Sequence, residues 1–200
     1  MKKSQKTLII VAAILLAIFL FAVRPAIKSY NNMVTFEEDI NGKWSQVTTD
    51  YQRRMDLIPN LVNTVKGYAD FEQETLTAVV EARAKATSVN VSADNLNPAM
   101  FQQFQAVQQG LSSSLSRLLV TIEKYPELKA NQGFLDLQAQ LEGTENRIAN
   151  SRRKFNEATQ LYNTFIKKFP KNLYANMFGF ESKVYFQAEE GADKAPEVQF

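Results

Sequence analysis

Residues 7–23 read TLIIVAAILLAIFLFAV, and no charge interrupts them. At the helical rise those seventeen residues reach about 25 Å, the short end for a bilayer core of about 30 Å, with Lys6, Arg24 and Lys28 placed to snorkel outward. The stretch predicts a single N-terminal transmembrane helix. A cleaved leader would want small residues at the exit, whereas Phe21-Ala22-Val23-Arg24-Pro25-Ala26 puts Arg and Pro there, so the expectation is an uncleaved anchor. Lys2, Lys3 and Lys6 outnumber Arg24 and Lys28, which predicts a cytoplasmic N-terminus with the body outside the cytoplasmic membrane, on the periplasmic side where an outer membrane exists.

Beyond the anchor, proline and apolar spacing divide the chain. Prolines at 25, 59, 98, 126, 170 and 196 read as helix boundaries, because proline suits a first turn and disrupts a helix interior. Between Pro25 and Pro59, Met33, Phe36, Ile40, Trp44, Val47, Tyr51, Met55 and Ile58 recur every three or four residues, the mark of one amphipathic helix. A second stripe runs from Leu61 through Val65, Tyr68, Leu76 and Val79 to Ala86, and residues 87–97 then read as a polar loop. The third stripe, Phe101 through Phe104, Gln108, Leu111, Leu115, Leu118 and Ile122, ends at Tyr125-Pro126. The fourth runs from Phe134 to Phe169 and stops at Pro170. Four long amphipathic helices with short connections predict an all-α fold, an antiparallel up-and-down four-helix bundle with coiled-coil-like packing. The expected organisation is a short tip over 1–6, the membrane helix over 7–23, the bundle with an aromatic C-terminal segment over 26–187 and a flexible tail over 188–200.

The composition restricts the chemistry. There is neither histidine nor cysteine, and 23 basic residues face 21 acidic ones. Carboxylate-bridged metal sites of the Glu-x-x-His kind, zinc sites and His-activated nucleophiles therefore cannot be built. A near-balanced charge recruits no nucleic acid. No cofactor, no metal and no catalysis are expected.

The run Gln52-Arg53-Arg54-Met55-Asp56-Leu57-Ile58-Pro59-Asn60-Leu61-Val62, with Tyr30-Asn31 and Trp44 before it and Lys66-Gly67-Tyr68 after it, resembles the signature of the bacterial LemA family. Glu81-Ala82-Arg83, Leu115-Ser116-Arg117-Leu118, Glu123-Lys124-Tyr125-Pro126-Glu127-Leu128-Lys129, the stretch from Leu141 to Ile148, Tyr162-Asn163 and Phe169-Pro170 continue the similarity in order. The resemblance implies a short tip, one membrane helix and a four-helix bundle, and it implies no settled enzyme activity. Two positions depart from the family pattern. Phe71 stands where relatives often carry His, which argues against a metal or proton role there, and Phe155 where they often carry Tyr.

Four charges fall on or beside the apolar stripes: Glu72 and Arg83 in the second, Glu145 and Arg152 in the fourth. They predict a partly buried polar network that fixes helix register; the alternative is a polar pocket for a ligand, serving a sensor or an enzyme. Tyr174, Phe178, Phe180, Tyr185 and Phe186 crowd one segment, which reads more cheaply as packing across a bundle end than as a membrane-surface element. At the C-terminus, Val198 and Phe200 alternate before a free carboxylate, a pattern that strand-adding peptide-binding modules recognise. The functional expectation is a membrane-anchored scaffold or adaptor of the cell envelope, working through protein partners or self-association.

Overall fold

The computed structural model describes residues 3–68, 72–93 and 96–187, and among them every regular element is helical. The elements are α1 (Lys3–Ile18), a π-helical turn (Phe19–Val23), α2 (Arg24–Lys66), α3 (Gln73–Ser88), α4 (Pro98–Ile122), the one-turn α5 (Pro126–Lys129), α6 (Gln132–Lys167) and α7 (Lys171–Phe178). The apolar N-terminal helix is long and apolar enough to cross a membrane, and its side chains stand exposed. Phe71, the tail over 188–200 and with it Val198 and Phe200 lie outside the described residues.

Three prolines mark helix starts as expected. Pro98 and Pro126 occupy the first turns of α4 and α5, and Pro170 precedes α7. Asn97 adds a cap by accepting the Met100 N–H at 2.9 Å, and Asn131 does the same for Phe134 at 3.0 Å at the start of α6. Gly179, in the left-handed region at φ 77°, ends α7, and the Phe180 N–H returns to the Ala175 carbonyl at 2.9 Å.

The other two prolines inside the described residues do not end helices, which corrects the boundaries expected at 25 and 59. Before Pro25 the helix widens into the π-helical turn, and the Arg24 N–H bonds to the Phe19 carbonyl five residues back. That extra residue accommodates a ring that brings no N–H of its own. Pro59 lies inside α2. It cannot donate to the Met55 carbonyl, four residues back, and Arg83 of α3 supplies the replacement: its Nε–H donates to that carbonyl at 2.9 Å. The expected first and second helices are therefore split at Lys66 rather than at Pro59.

The described parts fall into two compact units, one drawn from 1–40 and 157–183 and the other from 41–156 and 184–200. In the first, Met33, Tyr162 and Ile166 are buried, Tyr30 packs edge-on against Phe178 and Phe180, and Phe36 against Phe165. The Tyr162 hydroxyl donates to the Glu181 carbonyl at 3.0 Å, and the Asn163 side chain bonds both the N–H and the carbonyl of Lys183 at 2.9 Å. Lys183 is also ion-paired with Glu37.

In the second unit, Trp44 is surrounded by Phe101, Phe104, Phe155 and Phe186, and its Nε1–H donates to the Val91 carbonyl at 2.9 Å. Phe155 is fully buried against Trp44. A leucine-rich core follows, with Ile58, Leu61, Val79, Leu111, Leu118 and Leu128 among its members. Asn156 holds the N–H and carbonyl of Phe186 at 2.9 Å each, as Asn163 holds Lys183 in the other unit. The aromatic segment thus packs in part: Phe186 is buried, Phe180 and Phe178 meet Tyr30 edge-on, and Phe178 and Tyr185 stay largely exposed.

Candidate functional site

The polar centre of the larger unit is Arg54, whose side chain is 1% exposed. It follows Val47 and Tyr51 at helical spacing and precedes Ile58, so it occupies a core position of α2. A guanidinium is always charged and presents five donors, so burying it demands acceptors. Nη1 donates to Ser112 Oγ of α4 and to Glu145 Oε1 of α6, both at 2.7 Å. Nη2 donates to Gln108 Oε1 at 2.7 Å and to the Gln108 carbonyl at 3.3 Å. The Tyr51 ring lies 5.1 Å from the guanidinium carbon. One side chain thereby joins three helices, and its charge is balanced by a carboxylate that is itself 47% exposed.

Beside it is a cavity of about 50 Å³, lined by Arg54, Gln108, Ser112, Glu145 and Arg152 with Tyr51 and Ile148. Arg54 Nε and Gln108 Nε2 are buried donors without a protein partner. That volume holds water or another very small acceptor. A permanently protonated guanidinium can hold an acceptor but cannot serve as a base at neutral pH. Among the described residues, no three His, Cys, Asp or Glu side chains converge to hold a metal ion.

The four stripe charges have separate partners. Glu72, at the N-terminal cap of α3, accepts from Lys124 Nζ at 3.4 Å on the surface. Arg83 serves the Met55 carbonyl. Glu145 pairs with Arg54, and Arg152 donates to the Gln187 carbonyl at 3.1 Å while lying 4.9 Å over the Phe186 ring. Glu145 and Arg152 line the same cavity; Glu72 and Arg83 do not. Arg54 lies within the run Gln52 to Val62, and its spacing from Val47, Tyr51 and Ile58 is the signal in the sequence that marks it as a core position. Gln108, counted within the third stripe, is its second buried partner.

A wider feature lies between α4 and α6. Leu115, Leu119 and Leu141 floor a groove of about 500 Å³, rimmed by Ser112, Ser116, Gln138, Glu142, Glu145 and Asn146. In the smaller unit, burial, then the Glu37 and Glu181 carboxylates, raise the Tyr162 phenol well above its ordinary value.

The chain is similar to Magnetosome protein MamQ 2 of Paramagnetospirillum magneticum, 28% identical over 185 residues, covering 82% of this chain and 66% of that protein. Magnetosome protein MamQ of Magnetospirillum gryphiswaldense is 26% identical with the same coverage. Protein LemA of Metamycoplasma hominis is 24% identical over 160 residues, covering 80% of this chain and 69% of its own. This chain thus spans a little under two thirds of the length of the two MamQ proteins. The pattern that defines the LemA family matches residues 43–200, and the chain belongs to that family.

Proposed function

We propose that this protein is a membrane-anchored, non-catalytic scaffold of the cell envelope, with a four-helix antiparallel up-and-down bundle as its body. The groove between α4 and α6 carries the reading: it is open, floored by leucines and rimmed by polar groups, as suits an amphipathic helix laid into it. The buried charge supports a structural use of the polar centre, since Arg54 directs its Nη donors to Ser112, Glu145 and Gln108. Short connections between α2 and α3 and between α4 and α6, together with ties from α2 to α3, α4 and α6, support the bundle topology. The basic residues before the apolar run support a body on the outer face of the cytoplasmic membrane. The occupant is an envelope protein or a second copy of the chain, and nucleic acid is not a partner.

Photo-cross-linking groups placed at Ser116, Leu119 and Asn146 in intact cells test this reading. Discrete adducts from the groove positions are expected, either with another envelope protein or at twice the chain mass. Only uncross-linked chain at all three positions would refute it. The ligand-sensor alternative retains one observation, the two unpartnered donors beside the small cavity.

A further inference from the structure

The packed edge of the smaller unit begins where the apolar run stops. Ser29 is buried, and Pro25 and Ala26 are half-buried, within two to six residues of Val23. Tyr30, whose ring is 5.1 Å from that of Phe178 and 5.6 Å from that of Phe180, is seven residues past Val23, about 10 Å along a helix. A headgroup layer extends roughly 6 Å beyond each side of the hydrocarbon core. The anchor is about 5 Å shorter than a typical core, which draws its flanking residues inward. With that deficit shared between the two sides, the end of α7 lies about 7–8 Å beyond the hydrocarbon core, at the outer edge of the headgroup layer.

At this level the surface is apolar and basic. Phe169, in the turn between α6 and α7, is 80% exposed, and Leu173 and Met177, one turn apart on α7, are 55% and 64% exposed. Three lysines, Lys167, Lys168 and Lys171, and no acidic residue lie in 167–180. Lys167 and Lys168 are exposed, while Lys171 Nζ lies 3.9 Å from the centre of the Phe165 ring. Exposed apolar side chains beside lysines are what an interfacial element presents to a bilayer.

We propose that the α6–α7 corner is a second membrane contact: Phe169, Leu173 and Met177 enter the headgroup layer, and Lys167 and Lys168 face anionic headgroups. The proposal rests on residues 7–23 spanning the membrane. The occupant is the lipid surface, because the patch packs on Tyr30, seven residues past the end of the apolar run, and its charge complements anionic lipid.

The cysteine-free chain allows a direct test. Single variants Phe169→Cys, Met177→Cys, Leu161→Cys and Leu15→Cys of the full chain would carry an environment-sensitive fluorophore in vesicles of phosphatidylcholine with phosphatidylglycerol. Leu161 is the control: it is exposed and lies one turn before Phe165, whose partner Phe36 is thirteen residues past Val23, about 20 Å along the helix. Blue-shifted emission and severalfold stronger quenching by brominated lipid are expected at 169 and 177 than at 161. Lys167→Gln with Lys168→Gln should remove the dependence of that quenching on phosphatidylglycerol. Quenching at Leu15→Cys alone would overturn the docking while leaving the anchor intact; no quenching at Leu15→Cys would overturn the anchor itself. A blue shift that grows with protein density and resists lipid quenching would show a second copy on the patch and overturn the lipid assignment.

Discussion

Replacing Pro59 should weaken the hold of Arg83 on the structure, because the two residues share one carbonyl. In a helix interior proline costs about 3 kcal/mol through its missing N–H and its ring. Here the freed acceptor, the Met55 carbonyl, is taken by Arg83 Nε at 2.9 Å. A hydrogen bond from a charged donor is worth about 1.5–3 kcal/mol, and this part-buried one belongs near the lower end. With some loss of packing by its stem, Arg83→Ala should cost about 2 kcal/mol in the parent. Pro59→Ala restores a main-chain donor to the same carbonyl, so in that background Arg83→Ala should cost less than about 1 kcal/mol. The coupling energy is thus about 1 kcal/mol or more. Pro59→Ala alone should stabilise, by about 1–2 kcal/mol rather than the full cost of proline, because Arg83 already offsets part of it. Denaturant unfolding of the full chain in detergent micelles, followed by the fluorescence of the buried Trp44, measures all four corners of the cycle. Costs that add to within about 0.3 kcal/mol would refute the shared-carbonyl reasoning.

Glu145→Ala should destabilise by about 2 kcal/mol, below the 3–5 typical of a fully buried pair, because Glu145 is half exposed while the Arg54 it leaves behind is buried. A loss under about 0.5 kcal/mol would remove Glu145 from the network. The raised Tyr162 phenol binds its proton more tightly folded than unfolded, so its stabilising effect is complete below about pH 10 and drains as pH rises from there toward the folded value. Thermal melts should therefore lose less stability above about pH 10 in Tyr162→Phe than in the parent; equal pH slopes would sink the assignment. For topology, an impermeant thiol reagent should label Asn90→Cys and spare Ser4→Cys in cells with a permeabilised outer membrane, and the reverse pattern would invert the proposed orientation.

The sequence by itself determined the apolar N-terminal helix, the all-helical class and most of the core. Apolar runs and a three-to-four spacing follow directly from helix geometry, so Met33, Ile40, Trp44, Val47, Leu111 and Leu118 are buried where their stripes put them. Turn chemistry likewise marked the starts at Pro98, Pro126 and Pro170, because a helix's first turn needs no N–H from its proline. Tertiary structure decided the rest. Pro59 stays helical because a residue 24 positions later supplies the donor its own backbone lacks, and no local signal carries that information. The four stripe charges looked alike in sequence, yet one meets a surface lysine, one a main-chain carbonyl, one a buried arginine and one a phenylalanine ring. Periodicity tells which side of a helix a charge occupies; only the packing of one helix against another decides which acceptor or donor waits there.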